Sequence, residues 1–202
     1  MINTVVLDIG NVLARFRWED YLADCGYEEE IKRRIGKATV LSSRWKEWDR
    51  GAVDEQELID ACIAEEPELK QEILKLFFDD YEQLVEEYEY SSDFIRQLKE
   101  NGYRVYLLSN YSRMHFRREK EPYRFMDLVD GGVISYEVKY IKPEPEIYRI
   151  LLDKYAIPPE KAVFLDDLEE NLKAAKAFGL HTIQVKNHEQ ALNDLRELGV
   201  RI

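Results

Sequence analysis

Three short apolar runs, each closed by acidic or hydrogen-bonding residues, constrain this chain more than any other feature. Val5-Val6-Leu7 ends in Asp8, Val105-Tyr106-Leu107-Leu108 ends in Ser109-Asn110, and Val163-Phe164-Leu165 ends in Asp166-Asp167. Apolar runs without polar alternation are strands buried on both faces, the kind that fill parallel sheets. In an open parallel sheet the carboxyl ends of the strands share one edge, and ligands bind there. A single Asp in such a place reads as a turn or helix cap. Three strands ending in Asp, Ser-Asn and Asp-Asp point to a site.

The remainder of the chain fits that sheet. After Glu89, strands and helices alternate. Ser91-Ser92 caps a helix running through Asn101-Gly102, and Arg104 to Asn110 is a strand. Met114 to Met126 reads as irregular or helical, and a short strand lies within Gly131 to Ser135. Then come a helix over Pro145–Tyr155, a strand over Ala162–Asp167, a helix over Glu169–Phe178, a strand over His181–Val185 and a helix over Glu189–Leu198. Between Trp18 and Glu89 the character is helical, with four or five helices and no strand, punctuated by Gly26, Gly36 and Gly51. Asp54 is placed to cap one of these helices and Pro67 to open another. The pattern predicts an α/β fold, a Rossmann-like parallel sheet with helices on both faces and a small helical block inserted after the first strand. The expected division is a core of 1–14 with 90–202 and an insert of 15–89.

Charge narrows the partners. A formal net charge of −12 over 202 residues argues against a nucleic-acid backbone. It is compatible with a small phosphorylated metabolite, because a bound cation and local lysines reverse the field at a site. Much of the acidic excess falls in Glu65–Glu89, the solvated faces of helices. No stretch approaches the roughly 20 apolar residues of a membrane span. No basic segment followed by an apolar one opens the chain, so no signal peptide is expected. Cys25 and Cys62 lack metal-ligand spacing and read as reduced thiols of a cytoplasmic protein. His115, His181 and His188 also lack ligand spacing and read as structural or surface residues.

Asp8, Asp166 and Asp167 would bring three carboxylates together, which is unfavourable unless one protonates or a cation binds. Oxygen ligands and few histidines favour Mg²⁺ over zinc. Lys142, in Ile141-Lys142-Pro143, adds a cation on a loop before a helix. Taken singly, Lys142 reads as a solvent-exposed loop lysine and Ser109-Asn110 as a cap pair. Taken together, these groups suit a phosphoryl group: the metal and Lys142 balance its charge, Ser109 donates a hydrogen bond, and Asp8 attacks phosphorus.

This set resembles the haloacid dehalogenase-type phosphohydrolases over nearly the whole chain. Their four motifs are matched in order by Leu7-Asp8-Ile9-Gly10-Asn11-Val12, Leu108-Ser109-Asn110, Lys142-Pro143-Glu144, and Phe164-Leu165-Asp166-Asp167 with Glu170-Asn171 and Ala174-Ala175-Lys176. The helical insert is similar to that family's small α-helical cap, which closes over the active site. The resemblance implies a nucleophilic Asp8 and an aspartyl-phosphate that water hydrolyses. It implies Mg²⁺ held by Asp8, the carbonyl of Gly10 and Asp167, with Asp166 ligating or just behind. Ser109, Asn110 and Asn11 would bind the phosphate, and Lys142 would neutralise it and orient Asp8.

Gly10 departs from the pattern. Most phosphatases of the family carry a second Asp there, the general acid for the leaving group and base for the water, worth about 10²–10⁴-fold. The Asp-x-Gly-Asn form, with Trp48-Asp-Arg-Gly and Leu107-Leu-Ser-Asn, is similar to one subgroup, the bacterial α-glucose-1-phosphatases, which suggests a sugar phosphate. Arg15, Trp18, Arg44, Trp45, Trp48 and Arg50 are candidates for gripping the leaving group, since aromatic and guanidinium groups suit a polar ring. Trp45 and Trp48, three apart, would equally pack the cap's own core. Two rival readings remain, a metal-free dehalogenase and a phospho-ligand-binding protein without turnover.

Overall fold

The computed structural model describes residues 1–78, 84–114, 116 and 123–202. The chain enters on β1 (Thr4–Leu7), then makes β2 (Ala14–Phe16), helices α1 (Trp18–Asp24), α2 (Glu29–Ala38), α3 (Ser43–Asp49), α4 (Glu55–Glu65) and α5 (Lys70–Phe78), and β3 (Val85–Glu87). There follow α6 (Ser91–Glu100), β4 (Arg104–Ser109), β5 (Gly131–Ile134), the single turn α7 (Ser135–Val138) and α8 (Pro145–Lys154). Strand β6 (Ala162–Asp166), α9 (Glu169–Ala177), β7 (His181–Gln184) and α10 (His188–Glu197) complete the chain. The predicted stretch Met114–Met126 falls largely outside the described residues, as does His115; Arg124–Asp127 is a 3₁₀ turn.

Five strands pair in parallel in the order β5-β4-β1-β6-β7. Side chains alternate across the sheet, so each apolar run feeds two cores. Val5, Leu7, Val105, Leu107, Val163 and Leu165 pack on one face with Phe94, Ile95 and Leu98 of α6 and Leu195 of α10. Val6, Tyr106, Leu108 and Phe164 pack on the other with Ile147, Tyr148 and Leu151 of α8 and Leu172 and Ala175 of α9. Burial on both faces is why these strands carry no polar alternation. Leu7 lies opposite both Leu107 and Leu165, and β6 and β4 run on to Asp166 and Ser109, so the three carboxyl ends gather on one edge of the sheet. Strand order reverses at β1, which lies between β4 and β6. This is the expected place for a ligand.

The region read as strandless contains one after all. β3 pairs antiparallel with β2, Arg15 opposite Glu86 and Phe16 opposite Val85, and this ribbon brackets the inserted helices. Strands of three residues are too short to impose a period, so the sequence pattern passes over them. Two further local expectations are corrected. Gly36 does not stop a helix but lies inside α2, where the Trp18 ring rests on it; a Cβ there would come within 2.6 Å of the ring. Ser91 and Ser92 do not cap α6. Their hydroxyls donate outward, Ser91 to the Leu13 carbonyl at 2.6 Å and Ser92 to the Glu87 carboxylate at 3.2 Å, tying the helix to the ribbon. No helix among the described residues is long and apolar enough to cross a membrane.

Candidate active site

Asp8 lies one residue beyond β1 and extends its pairing, its amide donating to the Leu165 carbonyl at 3.0 Å. The carboxylate is largely buried. Oδ1 accepts from the Ile9 amide at 2.7 Å, and Oδ2 lies 2.9 Å from Lys142 Nζ. Burial pushes its pKa up to about 6; the ammonium of Lys142 and a hydrogen bond from Ser109 pull it down, and the charge of Asp166 adds to the rise.

Asp166 closes β6 and is fully buried. Its oxygens accept from Lys142 Nζ at 2.6 Å, the Leu168 amide at 2.8 Å and Asn171 Nδ2 at 2.9 and 3.0 Å. Asp167 points out of the next position, half-buried, with Asn11 Nδ2 donating to its Oδ2 at 3.0 Å. Burial raises the Asp167 carboxyl, and the bond from Asn11 opposes that rise. Oxygens of the three carboxylates lie within 4.8 Å of one another. Lys142 is buried between Asp8 and Asp166. Burial alone would lower its pKa, but the two carboxylates outweigh that and hold it above the usual lysine value. Three carboxylates face one ammonium, so the cluster suits a cation.

Ser109 ends β4 against Asp8 and is 1% exposed. Asn110 and Asn11, expected at the phosphate, both line the cavity, and their side chains also hold neighbouring residues. Asn110 Nδ2 donates to the Lys142 carbonyl at 3.0 Å and its Oδ1 accepts from the Lys142 amide at 2.7 Å, so it clasps the lysine's backbone. Asn11 adopts φ +56°, a left-handed turn that Asn tolerates. Its side chain links Asp167 to the Phe16 amide. At Gly10 an added Cβ would meet nothing within 4 Å.

A cavity of about 540 Å³ lies between this edge and the inserted helices. Asp8, Gly10, Asn11, Ser109, Asn110, Lys142 and Asp167 line it from the sheet side. Phe16, Trp18, Val40, Leu41, Trp45, Lys46 and Asp49 line it from the insert. Trp18 and Trp45 thus reach the cavity, and the other four cap candidates do not. Trp48 is 3% exposed and packs edge-on against Trp45 and Phe77. Arg15 pairs with Asp20 and Arg44 with Glu65, both at the surface. Arg50 holds Glu144 at 2.6 Å and Glu47 at 3.0 Å, a link from α3 to the loop carrying Lys142.

Sequence reasoning missed Asp49 and Lys46 as cavity residues. Asp49 ends α3 with its carbonyl accepting from Ser135 Oγ at 2.5 Å. Burial pushes its carboxyl up to about 8, eased by the Ser112 amide and reinforced by the charge of Asp8. Its only sequence signal is its place in Trp48-Asp49-Arg50-Gly51. At Gly51, φ is +71° and a Cβ would crowd the Tyr136 carbonyl at 3.0 Å, so the motif marks where the insert touches the core.

The chain matches a family model described as haloacid dehalogenase-like hydrolase over residues 2–179. It is 31% identical over 103 residues to D-ribitol-5-phosphate phosphatase of Bacteroides thetaiotaomicron, covering 47% of this chain and 48% of that one. It is 24% identical to the sesquiterpene phosphatase astK of Aspergillus oryzae, over 96% of this chain and 94% of that one. A haloacid dehalogenase family enzyme of Bacteroides thetaiotaomicron, solved with magnesium and inorganic phosphate, superposes with a TM-score of 0.70 at 25% identity, covering 92% and 95% of the two chains. Other curated relatives are longer proteins, of which this chain spans between 11% and 37%. With the family model matching most of its length, the chain belongs to the haloacid dehalogenase-like hydrolases.

Proposed function

We propose that the protein is a Mg²⁺-dependent phosphatase that hydrolyses a small phosphorylated metabolite through an aspartyl-phosphate on Asp8. One observation carries the reading: Asp8 faces the cavity from the carboxyl edge of the sheet, with Lys142 buried at 2.9 Å and Asp167 beside it. The donor set fits Mg²⁺, being all oxygen and over-negative. Asp8, Asp167 and the Gly10 carbonyl would hold the ion. Asp166, whose oxygens already accept from Lys142, Leu168 and Asn171, would stand behind them. When bound, the ion neutralises charge on the phosphoryl oxygens.

The rest of the chemistry belongs to the chain. Lys142 keeps Asp8 ionised and aimed, and Asn110 keeps Lys142 in place through its backbone. Ser109 donates to the phosphoryl group. Asp8 attacks phosphorus in line, the leaving alcohol departs, and water then attacks the aspartyl-phosphate and frees Asp8. Residues 15–89 act as the cap that covers the leaving group and excludes water.

The leaving group meets a mixed wall. Trp18 and Trp45 offer aromatic faces that suit a sugar or polyol, which the similarity to a ribitol-phosphate phosphatase supports. Val40, Leu41 and Phe16 make the same wall largely apolar, which favours a second reading, an apolar alcohol of the kind that astK's name implies. Phosphate release from sugar, polyol and prenyl phosphates, with Mg²⁺ and with a chelator, tests the proposal. Turnover that needs Mg²⁺ and disappears in Asp8→Asn is expected. An active Asp8→Asn protein, or turnover indifferent to the chelator, would overturn it. The chelator also separates this chemistry from dehalogenation, which needs no metal.

A further inference from the structure

Gly10 leaves the leaving-group side of Asp8 without a carboxyl, and no atom outside its chain neighbours lies within 4 Å of where a Cβ would stand. The sheet edge therefore does not refill that place. Across the cavity, α3 ends on Asp49, the one carboxyl that the insert lends to the cavity lining among the described residues. Resting on the phosphatase reading above, we infer that Asp49 is the general acid that protonates the leaving oxygen and the base that then activates water.

Asp49 is held for such a role from the core side. Ser135 Oγ donates to its carbonyl at 2.5 Å, and Ser135 is itself fixed by the Tyr111 amide at 2.9 Å. The Ser112 amide donates to its carboxyl. The next two residues bind the core as well, Arg50 through Glu144 and Gly51 through Lys139 Nζ at 2.6 Å on its carbonyl. A group on the insert is thereby registered against the nucleophile.

Its protonation state suits the task. Burial favours the neutral acid, with the pKa near 8. The charged groups around the same cavity are Asp8, Lys142, Asp167 and Glu170 on the core side and Lys46 on α3 itself; Arg50 is engaged by Glu47 and Glu144. In the first step Asp8 Oδ bonds to phosphorus as the P–O bond to the alcohol breaks, and the Asp49 proton passes to that oxygen. In the second, water bonds to phosphorus as the P–Oδ bond breaks, and Asp49 takes the proton back. Protons balance over the cycle.

The test compares leaving groups at saturating Mg²⁺. p-Nitrophenolate departs without a proton, whereas an aliphatic alkoxide needs one. In Asp49→Asn, kcat/KM for aliphatic phosphate monoesters should fall about 10²–10⁴-fold, and that for p-nitrophenyl phosphate less than about tenfold. Adding Gly10→Asp to Asp49→Asn should recover part of the aliphatic activity, since the space at residue 10 is open. Wild-type protein supplies a measurement that depends on no variant: kcat/KM for the aliphatic ester should decline on the alkaline side and that for the aryl ester should not.

Equal losses on both esters, or none on the aliphatic one, would overturn the role of Asp49. So would a wild type that turns over only the aryl ester. A wild type that releases no phosphate from either would remove the phosphatase reading itself, and this inference with it.

Discussion

The two walls of the cavity treat the same residue type in opposite ways. On the sheet edge, Asp8 and Asp166 are buried against Lys142, and Asn171, Ser109 and two backbone amides also donate to them. On the insert, Asp49 lines the cavity on the wall that also carries Trp45, Val40 and Leu41, with the Ser112 amide on its carboxyl. Burial raises both Asp8 and Asp49. Lys142 draws Asp8 back to about 6, while Asp49, facing that same negative edge, reaches about 8. Two carboxyls whose environments push them apart divide the work of nucleophile and acid. The contrast teaches that the ammonium, more than depth of burial, decides which aspartate is the nucleophile.

Removing that ammonium should break the contrast with the largest effect. Lys142→Met leaves Asp8 and Asp166 buried without a counter-charge, which costs about 3–5 kcal/mol. At roughly 2–4 °C per kcal/mol for a chain of this size, the melting temperature should drop by about 6–20 °C. Added Mg²⁺ should restore part of the loss, because a ligand that binds only the folded state stabilises it. A Lys142→Met protein that melts within about 2 °C of wild type, by calorimetry, would mean that the cluster does not depend on this pair.

How readily each wall could be read from the sequence follows from the same difference. Asp8, Ser109, Asp166 and Asp167 stand out because each closes an apolar run, and a parallel sheet gathers such ends on one edge. Asp49 closes a seven-residue helix next to two tryptophans, where helical spacing separates core from surface but not core from cavity. Trp45 and Trp48 show the limit well. They share a face and pack together, with ring centroids 5.0 Å apart, yet only Trp45 reaches the cavity. Which end of that face meets the sheet is a matter of docking between elements far apart in sequence. The side-chain roles of Asn110 and Asn11 were hidden for a related reason. An amide near a phosphate site can meet the ligand and brace its neighbours at once, and the bracing contacts at 2.7–3.0 Å join residues far apart in sequence.

A sharper form of the comparison uses pH. An aspartate whose folded pKa lies well above its ordinary value binds a proton more tightly in the folded state. Its stabilising contribution is full below the unfolded pKa, near pH 4, and is lost as pH rises towards about 8. The slope for one such group is at most about 1.4 kcal/mol per pH unit. Asp49→Asn, which keeps the shape and cannot ionise, removes it. The variant should therefore gain stability relative to wild type steadily from about pH 4 to pH 8, with no further gain above that. Paired urea titrations across this range measure the difference. A difference that stays constant with pH would place Asp49 in ordinary solvent and dissolve the contrast between the walls.

The smallest effect lies where the walls join. Arg50 reaches from the end of α3 to Glu144, two residues after Lys142, at 2.6 Å, and also holds Glu47 at 3.0 Å. Its side chain is 20% exposed and that of Glu144 33% exposed, so solvent screens the pair and the coupling should be modest. A double-mutant cycle of Arg50→Ala and Glu144→Gln should return about 0.2–1 kcal/mol. Arg50→Lys should recover little of it, because one ammonium does not reproduce the fork that spans Glu47 and Glu144. The kinetic consequence is the more telling measurement. If the link registers Asp49 against Asp8, Arg50→Ala should lower kcat for aliphatic esters by more than its small stability cost implies, and should spare the aryl ester. Equal effects on both esters would make the link a brace for the Lys142 loop alone.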